Sequence, residues 1–329
     1  MVDALDECDR ESDIKHVLQI LADTRGLDPV HLRVLVTSRP EISIRDSFSR
    51  FPDNEHHNLV LHDISEFVVD RDISGFLKHY LSMISPEERV IEQLVRKASG
   101  LFIWAATACR FVHEGKRFAA MRLAVILESS STAITAPEKH LNEVYITVLK
   151  HSISPYYTNE EKEESCRILK HILGSIVVLL SPLSSHSLSR LLHVLKNDVD
   201  QTLEDLYAIL DIPKDQTRPL RLHHPSFRDF LLDKERCSDP KFWVDEKQAH
   251  RTLTNSCIRL MSKTLKQDIC SVDAPGVLIT DVESGRVEQY LPSEVQYACL
   301  YWVQHFQKSE IQPQDNGQEH IFLQKHLFH

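Results

Sequence analysis

The sequence predicts a mainly α-helical protein with a partial α/β portion at its N-terminal end. Three observations carry that prediction. Glycine is scarce, at 8 of 329 residues. Two short apolar runs rich in Val and Leu lie within the first 65 residues. Almost every apolar stretch after them recurs with a helical period. Tight turns consume glycine, so its scarcity disfavours barrels and sandwiches.

The opening "VDAL" reads as the end of a strand, and "ESDIKHVLQILADT" at 11–24 as a helix, with Ile14, Val17, Leu18 and Leu21 on one face. In "LRVLVTSRP" at 32–40, the apolar Val34 to Val36 suits a strand buried on both faces of a parallel sheet, and Pro40 stops it. Leu59 to Leu61 in "HNLVLHDIS" predicts a further short strand, with Asp63 or Ser65 capping the next helix. Strand end, helix, strand, loop, strand is a fragment of an open α/β sheet.

Helices follow at "ISGFLKHYLSMI", "SPEERVIEQLVRKASG", "LFIWAATACRFVHEG" and "FAAMRLAVIL". "SPEE" places Ser85 as an N-cap and Pro86 at the first helical position, and Gly100 looks like a helix terminator. "SSSTAITAP" at 129–137 is the best linker candidate. Helices are then expected at 138–152 and about 159–180, followed by short units: the helix of "SPLSSHSLSRLLHVL", a helix over "DVDQTLEDLYAIL", then a strand, turn and helix in "PLRLHHPSFRDFLLD". This order is compatible with a winged-helix arrangement. The remainder reads as helical around 241–266 and 292–307, with a polar break at 271–290. The division expected is 1–65 as an α/β portion, 66–135 as a helical subdomain, 136–236 as a winged-helix-like domain and 237–329 as a helical tail.

Composition bounds the function. Hydrophobic residues at 42% and charged residues at 26% call for a buried core. A formal charge of −10 gives no electrostatic support for a nucleic-acid partner or an anionic membrane surface. Seven cysteines from Cys8 to Cys299, with no C-x-x-C, suggest free thiols in a reducing compartment and no structural zinc. The acidic N-terminus is no secretory leader, and the longest apolar runs fall short of the ~20 residues a spanning helix needs. A cytoplasmic protein is expected.

Acidic chemistry concentrates in "VDALDE". A carboxylate at the carboxyl end of a parallel strand faces the ligand crevice at the sheet edge, where it can hold Mg²⁺. Asp3 is the candidate metal residue, and Asp6 and Glu7 the candidates for orienting an attacking water. The plainer alternative is an acidic, solvated helix start. Arg39 ends the neighbouring strand, as the γ-phosphate-sensing residue does in P-loop ATPases, and its plainer alternative is a surface arginine at a turn. The helix at 11–24 is the right size for the crossover between them. His224 precedes Pro225 at a helix start, so it binds a ligand, caps that helix or packs in the domain. Phe227, Phe230 and Leu231 have i, i+3, i+4 spacing and read as core. Ser184 to Ser189 read as a helix N-cap, without the G-x-S-x-G turn of a nucleophile. His186, His193 and His223 have no metal-ligand pattern.

Together "VDALDECD", "LRVLVTSRPEI", "KASGLFIWAATACRF" and "LHHPSFRDFLLD" resemble the NACHT NTPases of fungi, signal-transduction ATPases of the STAND class akin to vegetative-incompatibility receptors. The resemblance covers about residues 1–235. It implies a partial P-loop NTPase sheet, a helical subdomain and a winged helix. It gives Asp3 the Mg²⁺-linked Walker B role, Asp6 and Glu7 the acidic pair, and Arg39 the sensor role. His224 resembles the winged-helix histidine that touches the β-phosphate of ADP. Phe102 stands where related receptors carry a proline against the adenine, so that contact is not carried over. The cofactor implied is ATP or ADP with Mg²⁺, and the partners are copies of itself or related receptors.

A working member needs G-x-x-x-x-G-K-[ST] to cradle the phosphates. None of the eight glycines begins it, and Gly115-Lys116 is preceded by Arg110 where the first glycine belongs. The expectation is a chain that starts at the Walker B strand without its own P-loop and does not bind or turn over ATP alone. Two alternatives stand beside it: an active ATPase whose P-loop half lies upstream of Met1, and a helical and winged-helix interaction module. A winged-helix DNA binder is disfavoured, since "SLSRLLHVLKN" carries only Arg190 and Lys196 as cations.

Overall fold

The computed structural model describes residues 1–5, 8, 11–23, 33–38, 42–48, 56–57, 59–128, 137–271 and 284–326. They fall into two compact units, Met1–Ser65 and Glu66–His329. The protein is mainly α.

In the first unit, Val2 pairs in parallel with Val36. The Val2 N–H donates to the Leu35 carbonyl at 2.8 Å, and the Thr37 N–H donates to the Val2 carbonyl at 2.9 Å. Helix α1 (Glu11–Asp23) lies between the paired residues in sequence, and α2 (Ile42–Phe48) follows them. Leu5, Ile14, Leu18 and Ile44 form the buried core, with Val2, Val17, Leu21 and Val36 packed on it. The periodicity at 11–24 thus produces the expected helix. The strand expected at Val34 to Val36 is a correction: only Val36 is bridged, and Leu35 is 61% exposed. A parallel strand is buried on both faces only when layers cover both, and the described residues supply a partner on one side alone. The strand expected at Leu59 to Leu61 is also corrected. These side chains are exposed, and Leu61–Asp63 is a 3₁₀ turn.

The second unit begins with α3 (Glu66–Tyr80), α4 (Glu88–Ala98), α5 (Phe102–Glu114) and α6 (Ala119–Glu128). Helix α5 buries residues on most of its circumference, including Trp104, Thr107, Ala108, Phe111 and Val112. Ser85 is not an N-cap. Its φ is +42°, its hydroxyl donates to the Ser82 carbonyl at 3.0 Å, and α4 begins three residues later. The residue closes the turn after α3, and that role consumes the side chain a cap would need. Between α4 and α5 the backbone is left-handed at Ser99 and Gly100, with φ of +47° and +79°. Glycine takes that conformation without strain, which is the terminator role expected of it.

Helix α7 (Pro137–His151) is tied to α5 through the Trp104 indole N–H, which donates to the His140 carbonyl at 3.2 Å. Helix α8 (Asn159–Val178) opens on a capping box of Thr158 and Glu161. Then come α9 (Ser185–Leu192), capped by Ser184 as expected, and α10 (Lys196–Leu203). The helix expected over 198–210 ends early. Leu210–Asp211 is strand β1, antiparallel to β2 (Arg221–Leu222). Pairing accompanies the break: Leu210 is opposite Leu222 in the hairpin, and the buried Leu206, Ala208 and Ile209 lead into it. The Leu220 N–H also donates to the Leu183 carbonyl at 2.9 Å, adding a third extended segment. Helix α11 (Ser226–Leu232) follows, and Phe227, Phe230 and Leu231 are fully buried, as their spacing predicts.

The tail holds α12 (Glu246–Thr264), α13 (Ser284–Tyr290), α14 (Ser293–Lys308) and α15 (Gln318–His326). Most of the expected linker, at 129–136, and most of the polar break lie outside the described residues. No described helix is long and apolar enough to cross a membrane. All seven cysteines are free, and Cys109, Cys166, Cys237 and Cys257 are buried.

Helices α12 and α14 share a buried polar chain. The Tyr297 hydroxyl accepts the Leu180 N–H at 3.1 Å and lies 2.7 Å from His305 Nε2. His305 Nδ1 lies 2.7 Å from His250 Nδ1. The proton order with the fewest orphans has Tyr297 O–H donating to His305 and His305 Nδ1–H donating to His250. The His250 proton then sits on Nε2, 3.9 Å from a Glu246 oxygen. Burial, the Lys308 ammonium and the Arg228 guanidinium hold His250 well below the ordinary histidine value; burial, His250 and Lys308 do so for His305. The folded chain therefore keeps both rings neutral while the unfolded chain takes up protons. Stability is whole above the ordinary value of 6.5 and falls as pH drops toward about 4. Urea melts at pH 7 and pH 5 should differ by on the order of 4 kcal/mol from this pair, about 2 kcal/mol from each ring. A His250→Leu, His305→Phe double variant should show a smaller loss, and an equal loss would refute the assignment.

Candidate functional site

Asp3 and His224 are the expected site residues that fall among the described ones; Asp6, Glu7 and Arg39 lie outside them. In the first unit, Asp3 follows the residue that bridges to Val36, so it sits at the carboxyl end of a parallel pair. Its carboxylate accepts the hydroxyl proton of Thr37, at the same end of the neighbouring segment. The Ala4 N–H donates to that hydroxyl oxygen at 2.9 Å. Asp3 is exposed. Carboxylate and hydroxyl are thus held together at one edge, as hard oxygen donors of the kind Mg²⁺ takes beside water. Thr37 was missed by the sequence reading. Its signal is a hydroxyl residue directly after the apolar run "VLV". Among the described residues no group of three or more His, Cys, Asp and Glu is arranged to hold a metal by itself.

In the second unit, His224 lies between β2 and α11. The Ser226 N–H donates to His224 Nδ1 at 3.2 Å, so that nitrogen is an acceptor. Ser226 Oγ lies 2.7 Å from the same nitrogen and 2.8 Å from Tyr145 Oη on α7. With Nδ1 accepting, the hydroxyl protons run one way: Tyr145 O–H to Ser226, and Ser226 O–H to His224. A neutral His224 then carries its proton on Nε2 and presents a donor there. Burial raises the Tyr145 phenol above its ordinary value, more than the Ser226 hydrogen bond lowers it, so Tyr145 stays protonated. Its ring packs against Phe227 and Phe230, at 5.1 and 5.3 Å between centroids. His224 Nδ1 thus accepts the first N–H of α11, the bond a helix-start residue can supply.

Two cationic or proton-bearing groups stand near. His223 Nε2 donates to the Tyr207 carbonyl at 3.1 Å, and its N–H donates to Ile209, extending the hairpin. Burial, then the Arg110 guanidinium, holds His223 below the ordinary histidine value. Arg110, on α5, keeps Nη1 buried without a hydrogen-bond partner among the described residues. Burial lowers its value, and Tyr80, Cys109, Tyr145 and Asp211 offset part of that. The sequence reading missed Arg110 as a site residue. A lone arginine inside the apolar "WAATACRFV" was the available signal. Phe102 is 45% exposed at the start of α5, edge-on to Phe76 at 6.2 Å.

The chain is similar to the vegetative incompatibility protein HET-E-1 of Podospora anserina, at 24% identity over 354 aligned positions. The alignment takes in 98% of this chain and 24% of the relative, so the chain spans about a quarter of that relative's length. No protein-family model and no solved structure matches the chain. Similarity to a fungal incompatibility protein accords with the family resemblance carried by the motifs.

The relay makes a differential prediction. Ser226→Ala strands the buried Tyr145 hydroxyl and should cost about 1–3 kcal/mol, while Tyr145→Phe leaves Ser226 still bonded to His224 and should cost ~1 kcal/mol or less. Denaturant midpoints in the reverse order would refute the proton direction.

Proposed function

We propose that this chain is a nucleotide-responsive switch and interaction module of the NACHT type, serving incompatibility or innate-immunity-like signalling. The observation that supports this reading is the Tyr145–Ser226–His224 relay, which holds the His224 ring between the hairpin and α11. The resemblance gives His224 contact with a terminal phosphate of a bound nucleoside diphosphate. Arg110 would reinforce the same charge from α5. Asp3, with Thr37 behind it, would hold Mg²⁺; Asp6 and Glu7 would orient a water, and Arg39 would sense the γ-phosphate. Bound ATP or ADP with Mg²⁺ would supply the charge that separates the two states of the switch.

The division into α/β portion, helical subdomain, winged helix at 136–236 and tail belongs to the same reading. Its support is the order α8, α9, α10, β1, β2, with the Leu183 segment joining the hairpin. Residues 1–329 hold no G-x-x-x-x-G-K-[ST], so ATP turnover by these residues alone is not expected. Partners would be further copies or related receptors, since the net charge disfavours nucleic acid. The same missing pattern favours the second reading, an interaction module that binds no nucleotide.

Titration of a fluorescent ADP or ATP analogue with Mg²⁺ separates the two. The switch reading expects binding that weakens about tenfold or more in His224→Ala, the loss of one charge-assisted hydrogen bond, and that falls further in Asp3→Ala. No binding by the folded chain would leave the interaction module. Measurable turnover would restore the active-ATPase alternative.

A further inference from the structure

A second place in the Glu66–His329 unit has the chemistry of a ligand site. Helix α12 carries a polar stripe at Thr252, Asn255, Ser256, Arg259, Ser262 and Lys263, flanked by its buried Leu253 and Leu260 and opposite its buried Met261. That face is open to solvent at Asn255, Arg259, Ser262 and Lys263. It forms one wall of an open cleft of about 630 Å³, bordered by His171 of α8, by His193 at the end of α9 and by Gln318 at the start of α15. Ligand sites commonly fall in this size range.

The lining is one-sided in charge. Arg259 and Lys263 face it, no carboxylate lines it, and neither cation makes an ion pair among the described residues. This is a local reversal in a chain of net charge −10. The two imidazoles are incomplete. His171 Nε2 and His193 Nε2 are buried, and neither has a hydrogen-bond partner among the described residues. A buried polar nitrogen left so costs about 1–3 kcal/mol. His193 also sits in left-handed backbone, φ +56°, where the last turn of α9 ends. Glycine would be the unstrained residue there, yet the position carries a ring that lines the cleft.

We propose that this cleft binds a small, multiply phosphorylated, non-aromatic molecule of the phosphorylated sugar or polyol class. Two cations about one helical turn apart match more than one phosphate, and the hydroxyls and amides of Thr252, Asn255, Ser262 and Gln318 match further oxygens. Leu192 is the one apolar side chain among the described lining residues, so an apolar ligand has little to bury against. Apart from the imidazoles no aromatic ring among the described residues lines the cleft to stack a base. The site is independent of the nucleotide reading and shares no residue with it.

Binding should also take up protons. Burial first, with Arg259 and Lys263 for His193 and with Arg167 for His171, holds both rings below the ordinary histidine value in the free chain. A bound polyanion opposes those cations and raises both rings. Affinity therefore rises as pH falls from about 7.5 to 6.

The test is calorimetric titration of the full chain with inositol hexakisphosphate, ATP, pyrophosphate and inorganic phosphate, at two salt concentrations and two pH values. Hexakisphosphate should bind most tightly, more weakly at high salt, and at least about 100-fold more weakly to an Arg259→Glu, Lys263→Glu double variant. Both side chains are exposed, so the variant should keep the melting temperature of the parent, and Arg259→Lys should retain most of the affinity. His224→Ala should bind hexakisphosphate unchanged. Failure of every probe to bind, or binding that the double variant keeps, overturns the site. ATP binding as tightly as hexakisphosphate at the same residues overturns the polyol assignment, and inorganic phosphate doing so overturns the requirement for several phosphates.

Discussion

Seven consecutive residues of α8, Ile172 to Val178, have no exposed side, and the 66–329 unit is arranged around that fact. A helix buried on all sides must be met by neighbours on all sides. Helices α10, α11 and α12 meet it here, and Gly174 lets Val244 approach where a Cβ would lie 3.2 Å from a Val244 methyl. Its outer half, from Asn159 onward, is charged and solvated, which fixes which end enters the core. Once α8 is seated, the Leu183 segment, α9 and the hairpin have little choice of position.

Polar atoms then specify what apolar burial leaves loose. Hydrophobic packing tolerates small slips; a hydrogen bond in a dry interior does not. Tyr145 and Ser226 pin α7 to α11, Tyr297 and the two histidines pin α12 to α14 and to the end of α8, and the Trp104 indole pins α5 to α7. Glu294, buried at the start of α14, faces Arg190 of α9 at 2.9 Å. Each tie crosses between helices far apart in sequence, so each sets a register that apolar periodicity alone leaves open.

Much of this was readable from residues. Helical spacing located α1, α5, α7, α8, α11 and α14 within a few residues, because apolar residues recur along each with a helical period. The apolar runs at 34–36 and 59–61 misled, because a run of Val and Leu reports a preference for pairing but not whether a partner exists. The 198–210 segment misled for the opposite reason: a partner strand exists, and pairing of Leu210 with Leu222 overrode a helical pattern. Asp3 and His224 could be singled out from local motifs. Thr37, Tyr145 and Arg110 could not, since each owes its role to a residue more than 30 positions away in sequence or to burial, and no spacing rule encodes either.

The free thiols carry a further meaning. Cys109 and Cys257 lie within the core, and burial pushes each thiol up to about 12; Cys237 is pushed up to about 11. The thiolate is the reactive form, so in the closed molecule these sulfurs are chemically silent at neutral pH. They become visible only when the helices around them part. The three stand on or beside α5, α11 and α12, in different parts of the unit. The chain thus contains its own clock of opening: the order in which the three sulfurs are modified would trace which part of the bundle yields first.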